Sequence, residues 1–310
     1  MCAFCCFFMK CQKLGYRKVK DGLESNVKRT SFILNRFKRR RTSAGLILLY
    51  HRVTDLNSDP WQLCVSLRNF EQQMQLLSET CSPVSLRELA SLLEAKHPPR
   101  SPVVVTFDDG YADNLHQALP TLEQFDVPAT FFLTTGWLNR QREFWWDELD
   151  RLLLQPGSLP QTLRLTADGK SGKWCLGEAA NYTAEDSEQN RRWCTLEKPP
   201  TVRHDAYYAI RKRLHALLQQ NRQSVIDEIL EWAGAEAVER PSHRRLSREE
   251  VNALSRSSIV EIGSHTVNHP VLTTLSLAAQ KREIELSKTM LEEIIDRPVT
   301  SIALSARRLF

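Results

Sequence analysis

No stretch of this 310-residue chain approaches the roughly 20 consecutive apolar residues that cross a bilayer. The opening Met1-Cys2-Ala3-Phe4-Cys5-Cys6-Phe7-Phe8-Met9 is apolar but short, with no positive segment before it and no small-residue cleavage site after it. Neither a membrane span nor a standard secretory signal is read there. No internal repeat recurs. Outside the first 41 residues there is no basic surface studded with aromatics, which argues against a nucleic-acid partner. The cysteines lack a metal-ligand pattern: Cys2, Cys5, Cys6 and Cys11 crowd the start, Cys64, Cys81, Cys175 and Cys194 are scattered, and Cys2-x-x-Cys5 has no partner histidines. This usage suits a reduced, cytoplasmic protein.

What is present begins with a 42% hydrophobic content, enough for a large core in one or two domains. The formal charge of +5 is misleading as an average, because residues 1 to 41 hold 12 Lys or Arg against 2 Asp or Glu. The basic character therefore belongs to an N-terminal tail, 1–44, and the remainder is acidic. Within the tail, Lys38-Arg39-Arg40-Arg41 follows Phe32-Ile33-Leu34 and Phe37. That pattern suits peripheral contact with an anionic membrane, a solvated charged leader being the competing reading. The expected location is cytoplasmic or peripheral at the membrane.

Beyond the tail, strand and helix signals alternate. Helices are expected at Leu67 to Leu77, at Ser85 to Ala95 with Ser85 as cap, at Ala112 to Phe125, after the Ser247 cap, and at Leu277 to Ile295. Strands are expected at Leu46 to Val53, Val103 to Phe107, Ala129 to Thr134 and Ile259 to Gly263. The alternation predicts an α/β fold with parallel strands, and polar groups at the strand C-termini predict a distorted (β/α) barrel. Between residues 141 and 245 the pattern changes to a hairpin, Leu163 to Gly169, and two amphipathic helices, near Tyr207 to Leu218 and Val225 to Trp232. This reads as a mainly helical insertion. Its Trp145 and Trp146 either stack on sugar rings or, the more ordinary reading, pack the insertion against the barrel. Without tail and insertion, the chain falls short of the roughly 250 residues of a complete eight-stranded barrel, so an incomplete one is expected.

Chemistry concentrates at two motifs. Thr106-Phe107-Asp108-Asp109-Gly110 follows the apolar run Val103-Val104-Val105, and Ser264-His265-Thr266-Val267-Asn268-His269-Pro270 follows Ile259 to Gly263. A buried strand can present polar groups only where it leaves the sheet, and Gly110 permits a sharp turn there. One aspartate can then bind a cation while the other serves as general base. If the second segment coils helically, His265 and His269 face together at i and i+4. Two imidazoles and one carboxylate leave coordination positions open, as in a catalytic site. Alone, Asp-Asp-Gly is more often a turn and His-x-x-x-His a helix surface; their joint occurrence at strand ends favours the site. A third strand end presents His51 after Leu46-Ile47-Leu48-Leu49-Tyr50, where a core histidine is the competing reading.

From about Leu46 to Ala303 the chain resembles the polysaccharide deacetylases, the NodB-homology group of carbohydrate esterase family four. The resemblance implies that Asp108 is the catalytic base, that Asp109, His265 and His269 hold a divalent metal, and that Thr266 steadies the histidine loop. Zn2+ is the expected ion, with Co2+ or Ni2+ as alternatives. Leu49-Tyr50-His51 is similar to the family's Leu-x-His motif in a branch that carries it near the N-terminus, which implies His51 as general acid. The implied reaction is metal-assisted hydrolysis of N-acetyl groups on an N-acetylglucosamine-containing polysaccharide or oligosaccharide. After Thr300-Ser301-Ile302-Ala303 the family pattern expects Tyr-Pro-x-Gly, whereas this chain reads Leu304-Ser305-Ala306-Arg307-Arg308-Leu309-Phe310. The domain, 45–310, is therefore expected to be truncated at its C-terminus. Two competing functions fit the same sequence: an inactive carbohydrate-binding relative, supported by that ending, and a metal esterase acting on O-acetylated glycans.

Overall fold

The computed structural model describes residues 45–95 and 101–305. The basic tail with its expected membrane contact, and the last five residues of the altered ending, lie outside the described residues. In chain order the main elements are β1 (Leu46–Tyr50), α1 (Leu67–Thr80), α2 (Leu86–Glu94), β2 (Pro102–Phe107), α3 (Leu119–Gln124) and β3 (Ala129–Leu133). There follow α4 (Trp145–Leu154), the hairpin β4 (Thr162–Ala167) and β5 (Lys170–Cys175), α5 (Ala184–Asn190), α6 (Val202–His215), α7 (Gln219–Ala233), α8 (Arg248–Ser255), β6 (Val260–Ser264) and α9 (Leu277–Ile295).

The fold is mixed α/β around a parallel sheet in the order β1-β2-β3-β6, with the two-residue strand Ser82–Pro83 also paired to β2. β2 and β3 are buried along their whole length, as continuous apolar runs covered on both faces should be. Past β6, Ile302 forms a single parallel bridge to Ser264. Among the described residues the sheet is open rather than a closed barrel. β1, expected to be buried, is only half-buried, because it is an edge strand there, paired in this sheet to β2 alone.

Register sets the level of the site. Tyr50 pairs with Phe107 and Phe107 with Phe131, and these three rings stack across the strand ends, Phe107 and Phe131 at 4.7 Å. Consequently the residues that follow Tyr50 and Phe107, His51 and Asp108, leave the sheet at one height. The next bond of the ladder, Asp108 N to Tyr50 O at 3.0 Å, holds them there.

The helix expected from Ala112 starts differently. Residues Asn114–Ala118 form a π-helix that passes into α3. Pro120 has no N–H to donate to His116, and the preceding Leu119 N–H reaches back five residues to Asn114 O instead of four. Elsewhere the caps act as read: Ser85 accepts from Glu88 N, and Ser247 forms a reciprocal capping box with Glu250.

The apolar side chains of the segment from 141 to 245 gather in one buried cluster that also takes in Tyr111 and Trp137; in it α4 packs on α6 and α7, and α7 packs on β4, whose buried face is Leu163, Leu165 and Ala167. The hairpin turns on Asp168 and Gly169, both with positive φ, as a two-residue turn requires. Glu143 is fully buried and accepts two bonds from the Arg240 guanidinium, at 2.7 Å each, and one from Arg240 N. That pair ties the two ends of the segment together. Trp145 and Trp146 are buried in this core, so they pack as the ordinary reading held and are not open platforms for sugar.

Candidate metal centre

Four side chains converge at the C-terminal end of the sheet. Asp109 Oδ1 lies 3.7 Å from His265 Nε2 and 3.5 Å from His269 Nε2. Donor atoms of these three residues all fall within 4.8 Å of one another. Asp108 Oδ2 is 3.9 Å from His265 Nε2. His51 follows β1 at the level of Asp108, and its positive form would oppose a charge on His269. The structure thus brings together Asp108, Asp109, His265 and His269, while His51 is placed by the backbone at the same strand-end level.

The loop geometry differs from the expectation in one respect. Residues 265–269 do not coil into a helix. Thr266 and His269 instead have φ of 66° and 52°, and the two imidazoles meet at 4.7 Å between ring centres through a folded loop. Asp109 also has positive φ, 77°, next to Gly110 at 89°. Left-handed backbone at non-glycine residues costs on the order of 1–3 kcal/mol each and persists only where surrounding bonds enforce it. Here the bonds are visible. Thr266 Oγ1 accepts from His269 N at 3.1 Å, the steadying contact implied for that threonine. Thr135 N and Gly136 N donate to Thr266 O and Val267 O at 3.2 and 2.8 Å. Glu283 of α9 accepts from Val267 N and Asn268 N, each at 2.9 Å.

Burial dominates the electrostatics. It pushes the carboxyls of Asp108 and Asp109 up to about 7, with His265 pulling Asp109 the other way, and it lowers both His265 and His269. Asp109 Oδ1 is buried with no hydrogen-bond partner. A buried, unpartnered carboxylate oxygen between two imidazole nitrogens is what a divalent cation satisfies, so the residues fit the ion implied by the resemblance. His265 is oriented for it as well. Its Nδ1 sits 2.9 Å from Ala303 O, and since a carbonyl can only accept, Nδ1 carries the proton and Nε2 faces the cluster with its lone pair.

Several supporting residues escaped the sequence reading. Asp113 Oδ1 accepts from Val53 N, Asp113 Oδ2 from Arg52 Nε, and Asn114 Nδ2 donates to His51 O, so the chain just beyond Asp-Asp-Gly holds the His51 segment. Their place directly after the motif was a usable signal. Trp146 lies 5.3 Å from the His269 ring and donates to Tyr111 Oη, which donates to Asp147. Nothing in the sequence marked that contact, nor Gly136, Glu283 or the Ala303 carbonyl.

The fold and this cluster define an α/β protein with a candidate divalent-metal site at the C-terminal end of a parallel sheet. The family described as polysaccharide deacetylase matches residues 95–159 and 215–307, and the chain belongs to that family. Among curated proteins, YxkH of Bacillus subtilis strain 168, whose name assigns it to the polysaccharide deacetylases, is 36% identical over 89 residues. That alignment covers 28% of this chain and 30% of YxkH, so the chain matches less than a third of that relative's length. Two solved structures resemble the chain path. The Streptococcus pyogenes deacetylase PplD in complex with acetate has a TM-score of 0.42 and 19% identity, and IcaB from Ammonifex degensii has 0.47 and 16%. Each comparison covers 84% of this chain and 73% of the other.

Proposed function

We propose that this protein is a metal-dependent deacetylase that hydrolyses N-acetyl groups of an N-acetylglucosamine-containing polysaccharide. The observation that carries the reading is the approach of Asp109, His265 and His269 around an unpartnered carboxylate oxygen, with Asp108 alongside. Asp109, His265 and His269 would hold the ion, most simply Zn2+. When bound, such an ion polarises a carbonyl and acidifies water. Asp108 is the base: burial sets its carboxyl near neutrality, where proton acceptance is efficient. His51 donates to the departing sugar nitrogen from the neighbouring strand end, held by Asn114 through its carbonyl. Behind His269 the buried rings of Trp146, Tyr111 and Phe144 pack on one another.

The same proposal covers the domain organisation, with a tail 1–44 and a domain 45–310 interrupted by the insertion 141–245. It also covers lipid contact by the tail, which cosedimentation with anionic vesicles tests. Among the described residues no helix is long and apolar enough to cross a membrane. Acetate release from N-acetylglucosamine oligomers, measured against O-acetylated xylan with added zinc, cobalt or nickel, tests the activity. Release from the oligomers supports the reading. Release from xylan alone favours an esterase, and sugar binding without release favours an inactive relative.

A further inference from the structure

The histidine loop is clasped from a helix that supplies no donor to the candidate centre. Val267 N and Asn268 N, successive amides after left-handed Thr266, both donate to Oε2 of Glu283, and Asn268 Nδ2 donates to Oε1 at 2.8 Å. Successive amides that converge form an anion-binding concavity, here filled by the chain's own carboxylate. One turn further along α9, Ser287 is fully buried and accepts from Ser264 Oγ at 2.9 Å, directly before His265. Positions 283 and 287 share one face of α9, so a single helix face holds both the entrance and the middle of the loop. The opposite side of the loop is held through its carbonyls, by Thr135 N and Gly136 N.

We propose that Glu283 is a positioning residue for the metal centre: its carboxylate fixes the backbone between His265 and His269 and thereby aims both imidazoles at one cation. The proposal rests on the metal reading above. Without Glu283, the carbonyl bonds to Thr135 and Gly136 remain, while the amides of 267 and 268 lose their acceptor and the left-handed turns lose half of their restraint. The ligands themselves are untouched, so the effect falls on their aim.

The test uses the full chain, stripped of metal, with zinc affinity read by competition against a chromogenic chelator and amide hydrogen exchange followed over the loop. Glu283→Ala is expected to weaken zinc binding by about 10- to 100-fold, the usual cost of losing an outer-shell partner, and to speed exchange at Val267 and Asn268. Glu283→Gln is expected to stay within about threefold of wild type, because one oxygen still accepts both amides and the Asn268 amide can turn to meet the new NH2. If Glu283→Ala proves too unstable to purify, Glu283→Asp, one methylene too short, carries the same expected loss. Wild-type zinc affinity and unchanged exchange in Glu283→Ala overturn the proposal. A wild-type chain that takes up no zinc, with exchange at 267 and 268 still faster in Glu283→Ala, removes the metal reading yet supports the clasp.

Discussion

Gly136→Ala isolates the contact between two loops and needs no change in any charged group. A Cβ at Gly136 would lie 2.6 Å from Val267 O, 2.8 Å from Val267 Cγ1 and 3.1 Å from Asn268 Oδ1. The first of these is backbone, and Gly136 N donates to that same oxygen at 2.8 Å. The loops must separate by several tenths of an ångström, which weakens a bond worth about 1 kcal/mol. Overpacking adds about 1–3 kcal/mol, so the expected loss of stability is about 2–4 kcal/mol in urea unfolding. Because Val267 sits between the two histidines, zinc affinity should fall along with stability. Adding Val267→Ala removes the methyl clash but leaves the carbonyl, so it should restore only a minor part. A Gly136→Ala protein within about 0.5 kcal/mol of wild type, or full rescue by Val267→Ala, would show that the loops yield and that this contact does not set the centre.

Asp108→Asn should lower turnover by about 10²- to 10⁴-fold while zinc content stays near wild type, whereas Asp109→Asn should lose zinc; equal zinc loss in both contradicts the division of roles. Glu143→Ala leaves Arg240 without its buried partner and should cost about 3 kcal/mol or more in urea unfolding, with wild-type stability as the contrary result. His243 is held down to about 3 by burial, with Arg240 and Arg52 adding to it. The unfolded chain therefore binds the proton first, and the stability that His243 contributes is lost as pH falls from about 6.5 towards 3. Subtracting the pH dependence of His243→Phe from that of wild type should show this slope; parallel curves would refute it.

What the sequence made legible was the part governed by continuous patterns. The valine run of β2, the apolar β3 and the amphipathic α9 declared themselves through periodicity, and α9 spans Leu277 to Ile295 as read. The candidate residues His51, Asp108 and His265 were legible because they stand directly past strand ends, where register, Tyr50 against Phe107 and Leu133 against Ser264, levels them. The shape of the histidine loop was not legible. Spacing i to i+4 suggests a helical turn, but left-handed Thr266 and His269 depend on bonds from Glu283, Thr135 and Gly136, which are remote in sequence and chemically ordinary. The half-buried state of β1 likewise depends on which strands flank it, which no local pattern encodes.

The position of one metal ion is the most direct test of the proposed centre. Anomalous diffraction at the zinc edge, from crystals of the metal-loaded full chain, should give a single strong peak about 2.0–2.2 Å from Asp109 Oδ1, His265 Nε2 and His269 Nε2. A zinc-loaded crystal with no peak among those three atoms, or with the ion held elsewhere, would contradict it.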